Sequence, residues 1–248
     1  MTPRLAGKRC LVTGGSRNLG RALCVAFARE GARVAFTYHR NDAGAAETRR
    51  LVEAAGANGC LVFQGSVTDA SHAEQAVTAV VAAWGGLDVL VNNAGVSQVL
   101  PVALIDEADW DHVMGVNVKG AFLFSRAAFR PMIRQRGGRV LNVGAFGEGR
   151  VVPVPVHYAA SKAALSGLTD ALAREGGRYK ILVNLLQPGI LEAGLGRNVP
   201  DSHLADFLEQ NPAGRFGTFD DVTAAAVWLA SDANTFMTGV HLPIDGGI

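Results

Sequence analysis

The 248-residue chain sets 23 Lys and Arg against 22 Asp and Glu, a net charge of +1, and is 49% hydrophobic and 18% charged. That balance provides enough apolar material for a substantial core and excludes a disordered chain. With no long basic run, it also argues against a nucleic-acid partner, whose binding requires many phosphates to be neutralised.

The length suits one domain spanning 1–248, since single α/β sheets of about 200–250 residues are routine. Cys10, Cys24 and Cys60 are widely spaced and form neither a CxxC pair nor a metal-ligand cluster, so they read as reduced core residues and no metal is expected. The N-terminus lacks a signal-peptide pattern, and no segment approaches the ~18 uninterrupted apolar residues of a membrane span. A soluble cytoplasmic protein is expected.

Along the chain, short β-branched runs at 9–13, 33–38, 60–64, 88–92, 139–143, 181–186 and 240–244 alternate with stretches of helical periodicity. That rhythm predicts a parallel sheet with helices on both faces. Leu19, Ala22, Leu23, Ala26 and Phe27 form one apolar helix stripe, and Ala73, Ala76, Val77, Val80, Val81 and Trp84 another. Gly31, Gly56 and Gly85 fall where helices should stop, and Ser71 and Asp220 where N-caps are expected. The least regular stretch, 187–217, holds three prolines and five glycines and reads as a mobile loop near a substrate.

Directly after the first strand, TGGSRNLGRA forms a glycine-rich turn that opens a helix. Such a turn lets backbone N–H groups and a helix N-terminus face an anion without a side chain intervening. The segment TGGSRNLG resembles the TGxxxGxG turn of the short-chain dehydrogenase/reductase family, with Asn18 in place of the middle glycine. Asparagine tolerates left-handed backbone angles better than most residues. The resemblance continues through NNAG (92–95), YAASK (158–162), Pro188-Gly189 and the ending TGVHLPIDGG, and so covers nearly the whole chain. It implies a single-domain, Rossmann-type doubly wound parallel sheet of about seven strands with helices on both faces.

Charge after the second strand separates two nicotinamide cofactors. An NAD site places a carboxylate there, whereas an NADP site needs positive charge for the 2′-phosphate. The sequence FTYHRN offers His39 and Arg40, and Arg17 can join them from the turn, so NADP(H) is preferred. The family resemblance adds Gly14, Ser16, Asn18, Leu19 and Gly20 at the pyrophosphate, and Ser66 and Val67 at the adenine. It likewise implies Asn93, Ala94 and Gly95 along the cofactor, and Pro188, Gly189 and Ile190 against the nicotinamide, with Ala193 where the family often has threonine.

Tyr158 and Lys162, four residues apart, share a helix face. An ammonium beside a phenol stabilises the phenolate, so the tyrosine pKa is expected to fall from about 10. By resemblance Tyr158 is the general acid/base, Lys162 also holds the nicotinamide ribose, and Asn117 in VNVKG holds a water in the proton relay. The family's serine, thirteen residues before the tyrosine, is here Ala145. Asn142, Gly144, Phe146 and Gly147 carry no hydroxyl either, and loss of one such donor lowers turnover by about 10²–10³. Ser97, Gln98, His157, a water or a polar substrate group are the alternatives.

Within the family the chain is most similar to β-ketoacyl-(acyl-carrier-protein) reductases, which implies a ketoreductase of fatty acid or polyketide biosynthesis acting on a small-molecule or carrier-tethered substrate. A basic patch of Arg134, Arg136, Arg139, Arg178 and Lys180 near the site entrance would receive an acidic carrier, although solvated helix-end charges explain the same residues. A non-redox dehydratase or isomerase, and a non-catalytic subunit of a mixed oligomer, are the competing functions. The resemblance implies a dimer or homotetramer built on helices at 122–130 and 159–172.

Overall fold

The computed structural model describes residues 3–57, 59–145, 154–194 and 201–248. In chain order it contains β1 (Arg9–Val12), α1 (Asn18–Arg29), β2 (Arg33–Tyr38), α2 (Asp42–Ala54), β3 (Cys60–Gln64), α3 (Ala70–Trp84) and β4 (Val89–Asn92). There follow α4 (Glu107–Met114), α5 (Gly120–Gln135), β5 (Gly138–Val143), α6 (Val156–Gly177), β6 (Ile181–Pro188), α7 (Asp201–Gln210), α8 (Phe219–Ala230) and β7 (His241–Ile244). All seven expected strands are present.

The strands form one parallel sheet in the order β3-β2-β1-β4-β5-β6-β7. Successive side chains point to opposite faces, and both faces are buried. Cys10, Val12, Val34, Phe36, Val89 and Val91 pack with Leu23, Phe27, Val222 and Leu229 of α1 and α8. Leu11, Ala35, Leu90, Val140 and Val183 pack with Val77, Val80, Leu123 and Phe124 of α3 and α5. Strand order reverses between β1 and β4, which opens a crevice at the carboxyl ends of those strands.

Between α5, the central strands and α6 runs a buried polar ladder. Asn92 Nδ2 donates to Ser125 Oγ at 2.9 Å and to Asn142 Oδ1 at 2.8 Å, and Asn142 Nδ2 donates to Thr169 Oγ1 at 2.9 Å. Asn92 and Asn142 are register partners in β4 and β5.

Three local expectations are corrected. Asp69, not Ser71, caps α3: its carboxylate accepts from the Ser71 N–H at 2.8 Å. Thr218, not Asp220, caps α8 in a reciprocal box with Asp221. The stretch 187–217 is not one loop, because α7 lies within it; Leu204 and Phe207 of α7 pack on Ile190 and Phe216. Residues 195–200 of that stretch lie outside the described residues. Gly31, Gly56 and Gly85 do follow helix ends with positive φ, as a left-handed exit from a helix requires.

Candidate active site

The glycine-rich turn is stitched to the end of β4. Thr13 Oγ1 accepts from the N–H groups of Asn93 and Ala94, both at 3.0 Å, and Asn93 Nδ2 donates to the Thr13 carbonyl at 2.9 Å. A Cβ on Gly20 would run into the Gly14 carbonyl oxygen and Asn93 Nδ2, so this position accepts only glycine. Asn18 stands at φ +48°, the left-handed conformation its residue type was expected to allow. Arg21 anchors the turn from behind: its guanidinium donates to the carbonyls of Ser16 (2.8 Å) and Gly44 (3.2 Å) and to Thr48 Oγ1 (3.0 Å).

Helix α1 begins without a side-chain cap, whereas Asn41, Asp69, Asp106 and Thr218 cap α2, α3, α4 and α8. Its first N–H groups are therefore open to an anion. They face a cavity of about 810 Å³ at the carboxyl ends of the strands. Glycine backbone, an uncapped helix end and a cavity of this size fit a nicotinamide dinucleotide.

Every residue expected at the cofactor lines this one cavity, from the turn through His39 and Arg40, Ser66 and Val67, and Asn93 to Gly95, to Pro188, Gly189 and Ile190; Ala193 lines it as well. Arg17, His39 and Arg40 are exposed, and neither arginine forms an ion pair among the described residues. Asp42, the acid closest in sequence to Arg40, is engaged elsewhere. Gln64 Nε2 donates to it at 3.2 Å, and its hydrogen bond holds the Tyr38 phenol above the ordinary value. Gly189 is required because the chain just after β7 passes close behind it: a Cβ there would lie 2.8 Å from Asp245 Cα.

Tyr158 and Lys162 project from the first turns of α6 into the same cavity, which Ala145 at the end of β5 also lines. Their electrostatics differ from expectation. The Lys162 ammonium donates to the Val143 carbonyl at 2.8 Å and stands 5.6 Å from the centre of the Tyr158 ring. Burial dominates both groups: it pushes the Tyr158 phenol up to about 12 and the Lys162 ammonium down to about 8. The expected lowering of the tyrosine is thus overturned, because desolvation disfavours the phenolate.

Asn117 is 2% exposed and lies in a π-helical turn, Gly115–Lys119, between α4 and α5. Its Oδ1 accepts from the Val96 N–H at 2.8 Å, while its Nδ2 donates to the Val96 carbonyl at 3.0 Å and to Ser161 Oγ at 2.8 Å. It fixes the chain after β4 against α6 and does not itself line the cavity. Such one-turn π bulges are frequent at functional sites.

Of the alternatives to the missing serine, Gln98 donates to Asp109 Oδ1 at 2.7 Å, and His157 is fully buried, its Nδ1 accepting the Tyr158 N–H at 3.1 Å. Ser97 lines the cavity. Phe146 and Gly147 lie outside the described residues. Thr13, Arg21, Asp109 and Ser161 escaped sequence reasoning, since each acts on backbone or side chains distant along the chain.

The basic patch does not flank this cavity in the same chain. Arg134 lies in the last turn of α5 and Arg136 just after it, Arg139 is the second residue of β5, and Arg178 and Lys180 precede β6. All sit at the amino ends of the parallel strands, opposite the crevice. Arg136 (φ +55°) and Lys180 (φ +60°) are turn residues, and Arg139 donates to the Asn234 carbonyl at 2.9 Å, in keeping with helix-end and turn charges.

Residues 14–248 match the family profile described as Enoyl-(Acyl carrier protein) reductase. The chain is 37% identical over 251 residues to the 3-oxoacyl-(acyl-carrier-protein) reductase of Thermotoga maritima, with 99% of each chain covered. It is 36% identical over 245 residues to the D-threitol dehydrogenase of Mycolicibacterium smegmatis, covering 98% of this chain and 94% of that one. Among solved structures, a short-chain dehydrogenase/reductase from Serratia marcescens superposes with a TM-score of 0.90 at 35% identity, over 98% of both chains.

Proposed function

We propose, from the premise that the chain belongs to the short-chain dehydrogenase/reductase family of nicotinamide-dependent oxidoreductases, that it reduces a ketone to an alcohol with NADPH. The substrate class is a β-ketoacyl thioester, free or carrier-bound, as the name of the Thermotoga relative suggests. The observation that carries the reading is that Tyr158 and Lys162 open into the cavity that also holds the glycine-rich turn, Arg17 and Arg40.

When bound, the reduced nicotinamide supplies the hydride that adds to the carbonyl carbon. Tyr158, whose pKa of about 12 keeps it protonated at neutral pH, donates its proton to the carbonyl oxygen. Lys162 keeps positive charge beside the phenol and orients the ribose. Arg17 and Arg40, with His39, take the 2′-phosphate through charge-assisted hydrogen bonds. Asn117 holds the loop and helix between which the substrate sits.

Oxidation of NADPH with acetoacetyl thioester, measured beside crotonyl thioester because the matched profile is named for enoyl reduction, tests the reading. Turnover of the keto substrate that is lost in Tyr158→Phe is expected. Turnover of crotonyl thioester alone, or product formed without nicotinamide oxidation, would replace the reading. No described helix is long and apolar enough to cross a membrane, and a cytoplasmic homodimer or homotetramer is part of the proposal. Phe122 on α5, 44% exposed, is the side chain such an assembly would cover.

A further inference from the structure

Resting on the ketone-reduction reading, we infer that Ser97 donates the second hydrogen bond to the substrate carbonyl oxygen, the contact for which Ala145 has no hydroxyl. A carbonyl oxygen gaining charge has two lone pairs. Tyr158 serves one, and a fixed donor on the other is worth about 10²–10³ in rate.

Register makes the substitution feasible. Asn92 at the end of β4 is paired with Asn142 of β5, so Ser97 and Ala145 leave the sheet from neighbouring strands, and both line the cavity with Tyr158. The other hydroxyls on its wall among the described residues, Ser16, Thr37, Tyr38 and Ser66, lie at or just after the ends of β1, β2 and β3, where the pyrophosphate and adenosine of the cofactor are assigned. Segments 146–153 and 195–200 contain no serine, threonine or tyrosine. Among the described side chains, Ser97 therefore has no hydroxyl competitor at the catalytic end.

The residue is also held in place. Asn117 bonds both backbone groups of Val96, at 2.8 and 3.0 Å, and Asp109 secures the Gln98 side chain at 2.7 Å. Ser97 sits between two anchored neighbours, and its own hydroxyl makes no hydrogen bond among the described residues. A donor whose backbone is fixed and whose hydroxyl is uncommitted meets the need for a pre-positioned group. Ser97 keeps its proton throughout; the proton that ends on the alcohol comes from Tyr158.

The test is NADPH-dependent reduction of the acetoacetyl thioester of N-acetylcysteamine by wild type, Ser97→Ala, Ser97→Thr and Ser97→Ala/Ala145→Ser. Ser97→Ala is expected to lower kcat by about 10²–10³ with unchanged melting temperature and NADPH affinity, Ser97→Thr to retain most activity, and the double variant to regain at least tenfold. Ser97→Ala within twofold of wild type overturns the assignment while leaving ketone reduction intact. A wild type inactive on this and other ketones overturns the ketone-reduction reading, and the assignment with it.

Discussion

Lys162 places its ammonium 5.6 Å from the centre of the Tyr158 ring, one helical turn away, and spends a hydrogen bond on the Val143 carbonyl. Burial, rather than a direct interaction between the two, sets the direction of both shifts. Because burial lowers Lys162 to about 8 and raises Tyr158 to about 12, the doubly protonated state exists below pH 8. As pH rises through about 8 the lysine loses its charge first, while the tyrosine keeps its proton. The pH profile of kcat/KM for reduction should therefore decline on its alkaline side with a midpoint near 8. In Lys162→Met that limb should vanish together with most of the activity. A profile flat to pH 10 would contradict it.

Arg40 and Arg17 are exposed and form no ion pair among the described residues, and their proposed use is the extra phosphate of NADPH. A hydrogen bond to a charged partner is worth about 1.5–3 kcal/mol, or roughly ten- to hundredfold in affinity. Arg40→Ala should raise the KM for NADPH by that factor and leave the KM for NADH nearly unchanged. Steady-state kinetics with both cofactors reads the ratio.

Arg21 supplies the contrast. It bonds the Ser16 and Gly44 carbonyls and Thr48, so it supports the turn for either cofactor. Arg21→Met should weaken NADPH and NADH by similar factors, about tenfold, through loss of about 1–2 kcal/mol of positioning hydrogen bonds. Fluorescence titration of the two cofactors separates this outcome from the selective one at Arg40.

Asn117→Ala removes three hydrogen bonds, the one to Ser161 buried and the two to Val96 partly so, and leaves both backbone groups of Val96 without their side-chain partner. A loss of about 2–4 kcal/mol in stability is expected, visible in urea unfolding. Activity should fall even at temperatures where the variant is fully folded, since Ser97 loses its anchor. Asn117→Asp should retain the bond from the Val96 N–H but not the two donated by Nδ2.

The strands were legible because each is a short β-branched run bounded by glycine or polar residues, and the crevice followed from their alternation with helices. Helix α7 was hidden because it is short and flanked by prolines and glycines that signal turns. The α3 cap was misplaced by two residues because Asp69 and Ser71 are both capping types, and only geometry shows which oxygen accepts which N–H. At the site, the one-turn spacing of Tyr158 and Lys162 was written in the chain, but their pKa directions were not, since desolvation depends on what packs around them. Likewise, Gln98 looked as available as Ser97 until Asp109, eleven residues on, was seen to hold it.

The amide ladder from Ser125 through Asn92 and Asn142 to Thr169 works as a registration key. Slipping β4 against β5 by one residue would turn each amide to the wrong side of the sheet and strand it in hydrocarbon. Replacing the four with apolar groups of similar volume need not weaken the fold, because Asn92 Oδ1 is buried without a partner and removing both partners of a neutral hydrogen bond is nearly neutral or stabilising. Such a variant would forfeit the constraint that sets how far the two strand ends, and so Ser97 and Ala145, protrude into the crevice. Its expected signature is a robust protein with blunted turnover.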